Sequence, residues 1–308
     1  MLATLTDRRF SDPNWIFERK LDGERCLAFR QGPTVRLLSR NRLVLNDHYP
    51  EIAEALARQS SVDFVVDGEI VAFEGSQTSF ARLQRRMHSR HDSEVRRGGT
   101  AVFYYVFDVL YANGQDTTPL ELRRRKAILR RLLTFRDSLR FTIHRVGEGE
   151  AFWQEACGKG WEGVIAKRAD APYEHRRSGN WLKFKCVNEQ EFVIGGYTDP
   201  KGSRRGFGAL LIGYYERAAL VYAGKVGTGF DDDLLASLSR QLAAIELDRP
   251  PFAGDGLPRK GVHWVQPLLV CQVGFTEWTR DGQLRHPRFQ GLRRDKDPRE
   301  VVRERPRR

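Results

Sequence analysis

Near residue 190 the texture of the chain breaks, and that break limits the fold more than any single motif does. Before it, short β-rich runs alternate with helical stretches. FVVDGEIVAF (64–73) and AVFYYVFDVLY (101–111) read as strands, rich in Val, Phe and Tyr. EIAEALARQ (51–59) and LELRRRKAILRRLL (120–133) carry apolar residues at helical spacing. In the second of these, Leu122, Ile128, Leu129, Leu132 and Leu133 share one face, and the intervening arginines read as a solvated surface. After the break, EFVIGGYTDPKGSRRGFGALLIGYYERAALVYAGKVGTGF (191–230) is a series of short strands split by glycine-rich turns. That is the texture of a small β-barrel. A helix is expected at DDLLASLSRQLAAI (232–245), a strand region at HWVQPLLVCQVGFTEWT (263–279), and a frayed basic tail at the end. The 308 residues are about twice an ordinary domain. Two domains are therefore expected, 1–190 and 191–308, with a hinge in WLKFKCVNEQEF (181–192).

Charge narrows the partner. The net charge is +12 and the pI about 9.8, an excess that suits a phosphate backbone, from which cations displace condensed counterions. No apolar run approaches the roughly 18 residues of a spanning helix, and MLATLTDRRF lacks a signal-peptide core. No membrane partner is expected. The cysteines at 26, 157, 186 and 271 are far apart and form no CxxC pair. That spacing argues against a zinc ribbon and a disulfide scaffold, and for a reducing compartment such as the cytoplasm.

WIFERKLDGERCLAFR (15–30) reads as a buried strand, with Lys20 as its odd member. A lysine in a sheet is usually a solvated edge residue. A nucleophilic lysine must be neutral, against a free pKa of about 10.4, and burial or neighbouring cations such as Lys183 and Lys185 penalise the charged form. The motifs that follow decide between these readings by their order. After Lys20-x-Asp22-Gly23-x-Arg25 come Ser39-Arg40-Asn41, Asp67-Gly68-Glu69, Phe107-Asp108-Val109-Leu110, Glu162-Gly163-Val164-Ile165 with Lys167, and Trp181-Leu182-Lys183-Phe184-Lys185. Arg285-His286-Pro287 and Arg293-x-Asp295-Lys296 close the series.

In this order the motifs resemble those of ATP-dependent DNA ligases, in the covalent nucleotidyltransferase superfamily, and are similar in particular to the ligase module of bacterial ligase D. The resemblance implies an α+β fold: an ATP-grasp-like nucleotidyltransferase domain of mixed antiparallel sheets with helices, then a five-stranded OB-fold β-barrel with an inserted helix. It implies ATP as AMP donor and Mg²⁺ or Mn²⁺ as cofactor. Lys20 resembles the adenylylated lysine, and Lys183 and Lys185 the lysines on the α-phosphate, with Lys167 a further cation close by. Arg25 and Arg40 resemble arginines near the ribose and phosphates, and Glu69 an acid that holds the ribose hydroxyls or a metal. Phe107 looks like the aromatic that stacks on adenine, with base choice left to polar contacts near Glu18 and Arg19. Glu162 resembles a metal-associated carboxylate. Arg293 and Lys296 match a terminal motif that orients the pyrophosphate leaving group. Asp108 and His286 read as structural.

The implied reaction moves AMP from ATP to Lys20, then to the 5′-phosphate of a break, and ends with attack by the 3′-hydroxyl. The barrel is expected to close over ATP and then swing away, pivoting near Lys185 to Glu191. The expected partner is duplex DNA with nicks or ends, bound without base reading, by a monomer near the bacterial nucleoid. A Ku-like end-binding protein is a further partner by analogy. With 19 residues ahead of Lys20, no DNA-encircling N-terminal domain is expected, nor a polymerase or nuclease module. Competing readings are an RNA ligase, an mRNA capping guanylyltransferase, and a non-catalytic basic protein that keeps the fold. The run RHPRFQGLRRDK (285–296) favours a DNA ligase over the first two, and the presence of Lys20, Glu69, Lys183 and Lys185 disfavours the third.

Overall fold

The computed structural model describes the chain except for residues 89–99, 201, 203, 204, 255, 307 and 308. It divides into two compact units, Met1–Cys186 with the chain end from Arg305, and Val187–Glu304, each with its own apolar core; the chain end was expected in the second domain. The division falls inside the stretch expected as the hinge.

The strands of the first unit are β1 (Leu2–Leu5), β2 (Trp15–Lys20), β3 (Glu24–Gln31), β4 (Thr34–Ser39), β5 (Asp63–Glu74), β6 (Gln77–Thr78), β7 (Val102–Ala112), β8 (Gln115–Asp116), β9 (Leu139–Phe141), β10 (His144–Val146), β11 (Gly163–Arg168) and β12 (Arg177–Lys185). They form two sheets, ordered β1-β12-β11-β2-β10 and β4-β3-β5-β7-β8, with β6 beside β5 and β9 beside β7. The pairings are antiparallel except β1 with β12 and β7 with β9.

Residues 15–30, expected as one strand, are instead two strands in different sheets, β2 and β3. The chain crosses between them at Leu21-Asp22-Gly23, pressed against β5. A Cβ on Gly23 would lie 2.2 Å from the Ile70 carbonyl oxygen, so the crossing requires glycine.

Helices Pro50–Ala57, Phe80–His88, Leu122–Leu132 and Gly149–Gly158 pack on the sheets. Leu122–Leu132 buries Leu122, Leu129 and Leu132 as its spacing requires, but it also buries Arg125 and Lys126. The arginine run is therefore not simply a solvated face. The Arg125 guanidinium forks onto the Asp108 carboxylate at 2.8 and 2.9 Å, with both side chains fully buried, and it also donates to the carbonyls of Leu120 and Ala171. Every charge in this cluster has a partner, which is what allows its burial.

Cys157 and Cys186 form a disulfide, although the cysteine spacing argued against a disulfide scaffold and for a reducing compartment. It ties the end of the helix Gly149–Gly158 to the residue that follows β12. The two cysteines are 29 positions apart and become neighbours only when β11 and β12 fold back on each other. Cys26 and Cys271 are buried and free.

The second unit contains β13 (Asn188–Thr198), β14 (Leu210–Glu216), β15 (Ala219–Val226), β16 (Glu246–Leu247), β17 (Phe252–Ala253), β18 (Val262–Phe275), β19 (Glu277–Trp278), β20 (Leu284–Arg285) and β21 (Arg288–Leu292). Its main sheet runs β16-β18-β13-β14-β15-β17, with β21 beside β18. The expected helix is present at Asp232–Ala243. Asp231 caps it, its carboxylate accepting from the Leu234 amide at 2.8 Å, and Leu235, Leu238 and Leu242 face the core. Among the described residues no helix is long and apolar enough to cross a membrane.

Candidate active site

Register builds the site. In β11, Gly163 lies opposite Lys20 of β2 and Lys185 of β12; Ile165 lies opposite Glu18 and Lys183; Lys167 lies opposite Ile16 and Trp181. Because side chains alternate along a strand, one face carries Glu18, Lys20, Ile165, Lys167, Trp181, Lys183 and Lys185. The other face carries Phe17, Val164, Ala166 and Phe184, sealed by Phe152 of the helix Gly149–Gly158. Four lysines thus share the face whose reverse is a hydrophobic core. At Gly163 a Cβ would lie 2.1 Å from the Phe184 carbonyl oxygen, so the turn from Glu162 into β11 again requires glycine.

Lys20, at the end of β2, forms an ion pair with Glu162. An anionic partner favours the ammonium form, the reverse of the influence expected from Lys183 and Lys185. The amide of Cys186 donates to the Glu162 carbonyl at 3.0 Å and fixes the loop that carries this carboxylate. The second oxygen, Oε2, is buried without a hydrogen-bond partner. A buried carboxylate oxygen left bare fits a ligand to a hard divalent cation. Among the described residues no cluster of three or more His, Cys, Asp or Glu could hold a metal.

Glu18 is fully buried. Its Oε1 accepts from Lys126 Nζ at 2.5 Å, and its Oε2 meets Lys167 Nζ at 2.6 Å. Burial alone would push its carboxyl up, but Lys126 and Lys167 outweigh that and hold it below the ordinary glutamate value. Burial, aided by Lys126, pulls the Lys167 ammonium down against the opposing pull of Glu18. Lys167 Nζ also lies 4.1 Å from the ring centres of both Phe107 and Trp181.

The second sheet supplies Arg25, Glu69 and Phe107. Arg25 of β3 lies opposite Glu69 of β5. Its guanidinium forks onto Asp67 at 3.0 and 2.6 Å and donates to the Met1 carbonyl at 2.6 Å. Tyr173 donates to the same carboxylate at 2.8 Å. Arg25 overrides burial and holds the Asp67 carboxyl low. This contact set anchors Arg25 in the framework, although a role at the ribose or phosphates was expected of it. Arg40 lies half-buried in the turn after β4.

Arg19 is not brought together with this group. It projects from the opposite side of β2, stacks over Trp161 at 4.2 Å and donates to the Ser76 carbonyl at 3.0 Å. Arg293 and Lys296 belong to the second unit. There Arg293 forks onto Asp295 at 2.9 and 2.8 Å, and Lys296 pairs with Glu191 at 3.0 Å. Ile165, Trp181 and Lys126 join the site without having been assigned to it from sequence. The period-two patterns VIAK and WLKFK carried the signal for the first two. Lys126 was hidden in an arginine-rich helix.

Known protein families and solved structures resemble this chain. Residues 1–185 match the family model of the ATP dependent DNA ligase domain, and residues 203–296 that of the ATP dependent DNA ligase C terminal region. The multifunctional non-homologous end joining protein LigD of Pseudomonas aeruginosa is 39% identical over 300 residues, covering 95% of this chain and 35% of its own length. The LigD of Mycobacterium tuberculosis H37Rv is 37% identical over 300 residues, covering 94% of this chain and 37% of its own. The chain therefore spans about a third of these curated relatives. Among solved structures, a mycobacterial DNA ligase D complexed with ATP and MES is 36% identical, with a TM-score of 0.68 and coverage of 98% of both chains. Its fold is thus a nucleotidyltransferase domain followed by an OB-fold domain, and with both family models matched in order the chain belongs to the ATP-dependent DNA ligases.

Proposed function

We propose that this chain seals breaks between a 5′-phosphate and a 3′-hydroxyl in duplex DNA through a lysyl-AMP on Lys20. The observation that carries the reading is the single sheet face on which Lys20 stands with Lys167, Lys183 and Lys185 while its amine is paired to Glu162. Lys20 Nζ attacks the α-phosphorus of ATP, the N–P bond forms, and the bond to pyrophosphate breaks. Glu162 Oε1 takes the proton that the ammonium must lose. Lys183 and Lys185 offset charge on the α-phosphate. Phe107 and Ile165 present apolar faces to the base, and Glu69 holds the ribose. Once AMP has passed to the DNA 5′-phosphate, the 3′-hydroxyl attacks there and AMP leaves.

A divalent ion, Mg²⁺ or Mn²⁺, would be held by Glu162 together with phosphate oxygens and waters, and would neutralise phosphate charge. The second unit acts as a lid over the nucleotide. Its pivot lies at Lys185 to Glu191, and Arg293 and Lys296 exchange their acidic partners for the leaving pyrophosphate. Lys296→Ala then slows adenylylation more than sealing of pre-adenylylated nicks. The +12 charge binds the duplex backbone with steep salt dependence. By likeness to the LigD proteins, the chain acts as a monomer in bacterial end joining beside the nucleoid, with a Ku-like end-binding protein as partner.

The test is incubation of the purified chain with ATP and Mg²⁺ or Mn²⁺, followed by intact-mass and peptide analysis. The expected result is a gain of one adenylate on Lys20. No gain, or a gain on another residue, sinks the proposal. Nicked DNA against nicked RNA as acceptor separates this reading from an RNA ligase.

A further inference from the structure

The disulfide closes a ring around Glu162. From Cys157 the chain turns out of the helix Gly149–Gly158, the Gly160 amide donating to the Cys157 carbonyl at 3.0 Å and the Trp161 amide to the Ala156 carbonyl at 2.9 Å. Glu162 follows. Its carbonyl accepts from the Cys186 amide at 3.0 Å, and Cys186 returns to Cys157 through the sulfur bridge. The ring thus encloses the residue whose carboxylate pairs with Lys20.

The neighbouring lysine is held differently. The Lys185 carbonyl accepts from Trp153 Nε1 at 3.2 Å and from Arg9 Nη2 at 3.4 Å, and neither bond involves a cysteine. Opening the bridge spares those tethers, but it leaves the Glu162 turn tied to the end of β12 by hydrogen bonds alone. Cys157 and Cys186 are half-buried, whereas Cys26 and Cys271 are sealed in the two cores. A thiolate can therefore reach the bridge and not the other two sulfurs.

We propose that the Cys157–Cys186 bridge is a thiol-exchange site for a dithiol, and that its reduction slows transfer of AMP to Lys20 by releasing Glu162. The inference rests on the adenylylation reading above. One thiolate of the dithiol attacks a bridge sulfur, a mixed disulfide forms, and the other cysteine leaves as a thiolate. The second thiol of the reductant then attacks its own partner sulfur and breaks the mixed disulfide. Two electrons and two protons pass to Cys157 and Cys186, and the dithiol is oxidised to a cyclic disulfide. Glu162 can then leave the position at which Oε1 takes the lysine proton. A 1 Å misplacement of this kind can cost roughly a hundred-fold in rate.

The test compares wild type and Cys157→Ser, each oxidised or treated with dithiothreitol, in the rate of lysyl-AMP formation at saturating ATP. Alkylation of the denatured chain counts free thiols: two of the four cysteines in the oxidised wild type, and all four after reduction. Reduction is expected to lower the wild-type rate constant about ten-fold, inside the range for a small misplacement, with KM for ATP little changed. Reoxidation restores it. Cys157→Ser is slow in both states and indifferent to dithiothreitol. Loss of folded molecules lowers the fraction labelled and not the rate constant, so the two are read separately. An unchanged rate constant in wild type with four free thiols overturns the proposal. Equal sensitivity of Cys157→Ser also overturns it, by assigning the effect to Cys26 or Cys271, and so do four free thiols before reduction. Wild type labelled in neither state overturns the adenylylation reading instead.

Discussion

The two sheets of the first unit use buried charge in opposite ways. The sheet built on β3, β5 and β7 relies on arginine–aspartate forks. Arg25 on Asp67 and Arg125 on Asp108 each make two parallel hydrogen bonds, and backbone carbonyls take further donors. The sheet built on β2, β11 and β12 relies on lysines that meet carboxylates one oxygen at a time: Lys20 on Glu162, and Lys126 and Lys167 on Glu18. A planar guanidinium stays charged and pre-organised, whereas an ammonium is a point charge whose proton can be removed. The first sheet type holds a frame still. The second sets ammonium groups beside carboxylates, and at Glu162 one oxygen, Oε2, is left bare.

The sharpest way to break this contrast is at Lys20. Lys20→Ala should abolish the covalent adenylate while leaving DNA binding nearly unchanged, measured by labelling and filter binding. Residual acid-labile adduct would put the nucleophile elsewhere. On the arginine side the balance reverses, and stability fails before chemistry does. Asp108→Asn strands Arg125 in a fully buried site, so urea unfolding should show a loss of about 3–5 kcal/mol. A loss below about 1 kcal/mol, the scale of an exposed pair, would mean that the fork is not structural.

This contrast also explains which parts were legible in sequence. The lysine face was readable from the chain order of KxDG, EGVIAK and WLKFK, which the resemblance groups around Lys20, and the last two alternate along β11 and β12. The helix at Asp232–Ala243 was readable from its leucine spacing and acidic first turn. Three things were not. Arg125 and Lys126 look like neighbouring arginines in a basic run, and only packing against β7 and β2 turns them inward. The crossing at Gly23 was hidden because Leu21 and Cys26 continue the apolar pattern on either side, although the strands enter different sheets. The pairing of Cys157 with Cys186 depends on how β11 and β12 fold back, which cysteine spacing does not record.

That disulfide gives the next test, since it braces the lysine sheet at the end of β12. Cys157→Ser opens a loop with a sequence separation of 29 and should cost about 2–4 kcal/mol under non-reducing conditions. In reductant the variant and the wild type should converge. A difference that persists in reductant would assign the effect to lost side-chain packing.

The smallest expected effect concerns acid, and it tests whether the forked sheet behaves as a single charged frame. Asp67 is buried, and Arg25 holds its carboxyl below the ordinary value against the cost of burial. A carboxyl lowered in the folded state adds stability above its unfolded pKa, about 3.9, and loses that stability as pH falls through the folded value. Stability of the wild type should therefore hold down to about pH 4 and decline below it. Asp67→Asn starts from a lower plateau, because Arg25 loses its carboxylate, and its acid decline should be shallower by the contribution of one group. Urea midpoints measured across this range read both features. Curves for wild type and variant that stay parallel below pH 4 would show that protonation of Asp67 does not drive the acid loss, and would shift that role to Glu18 and the lysine-bearing sheet.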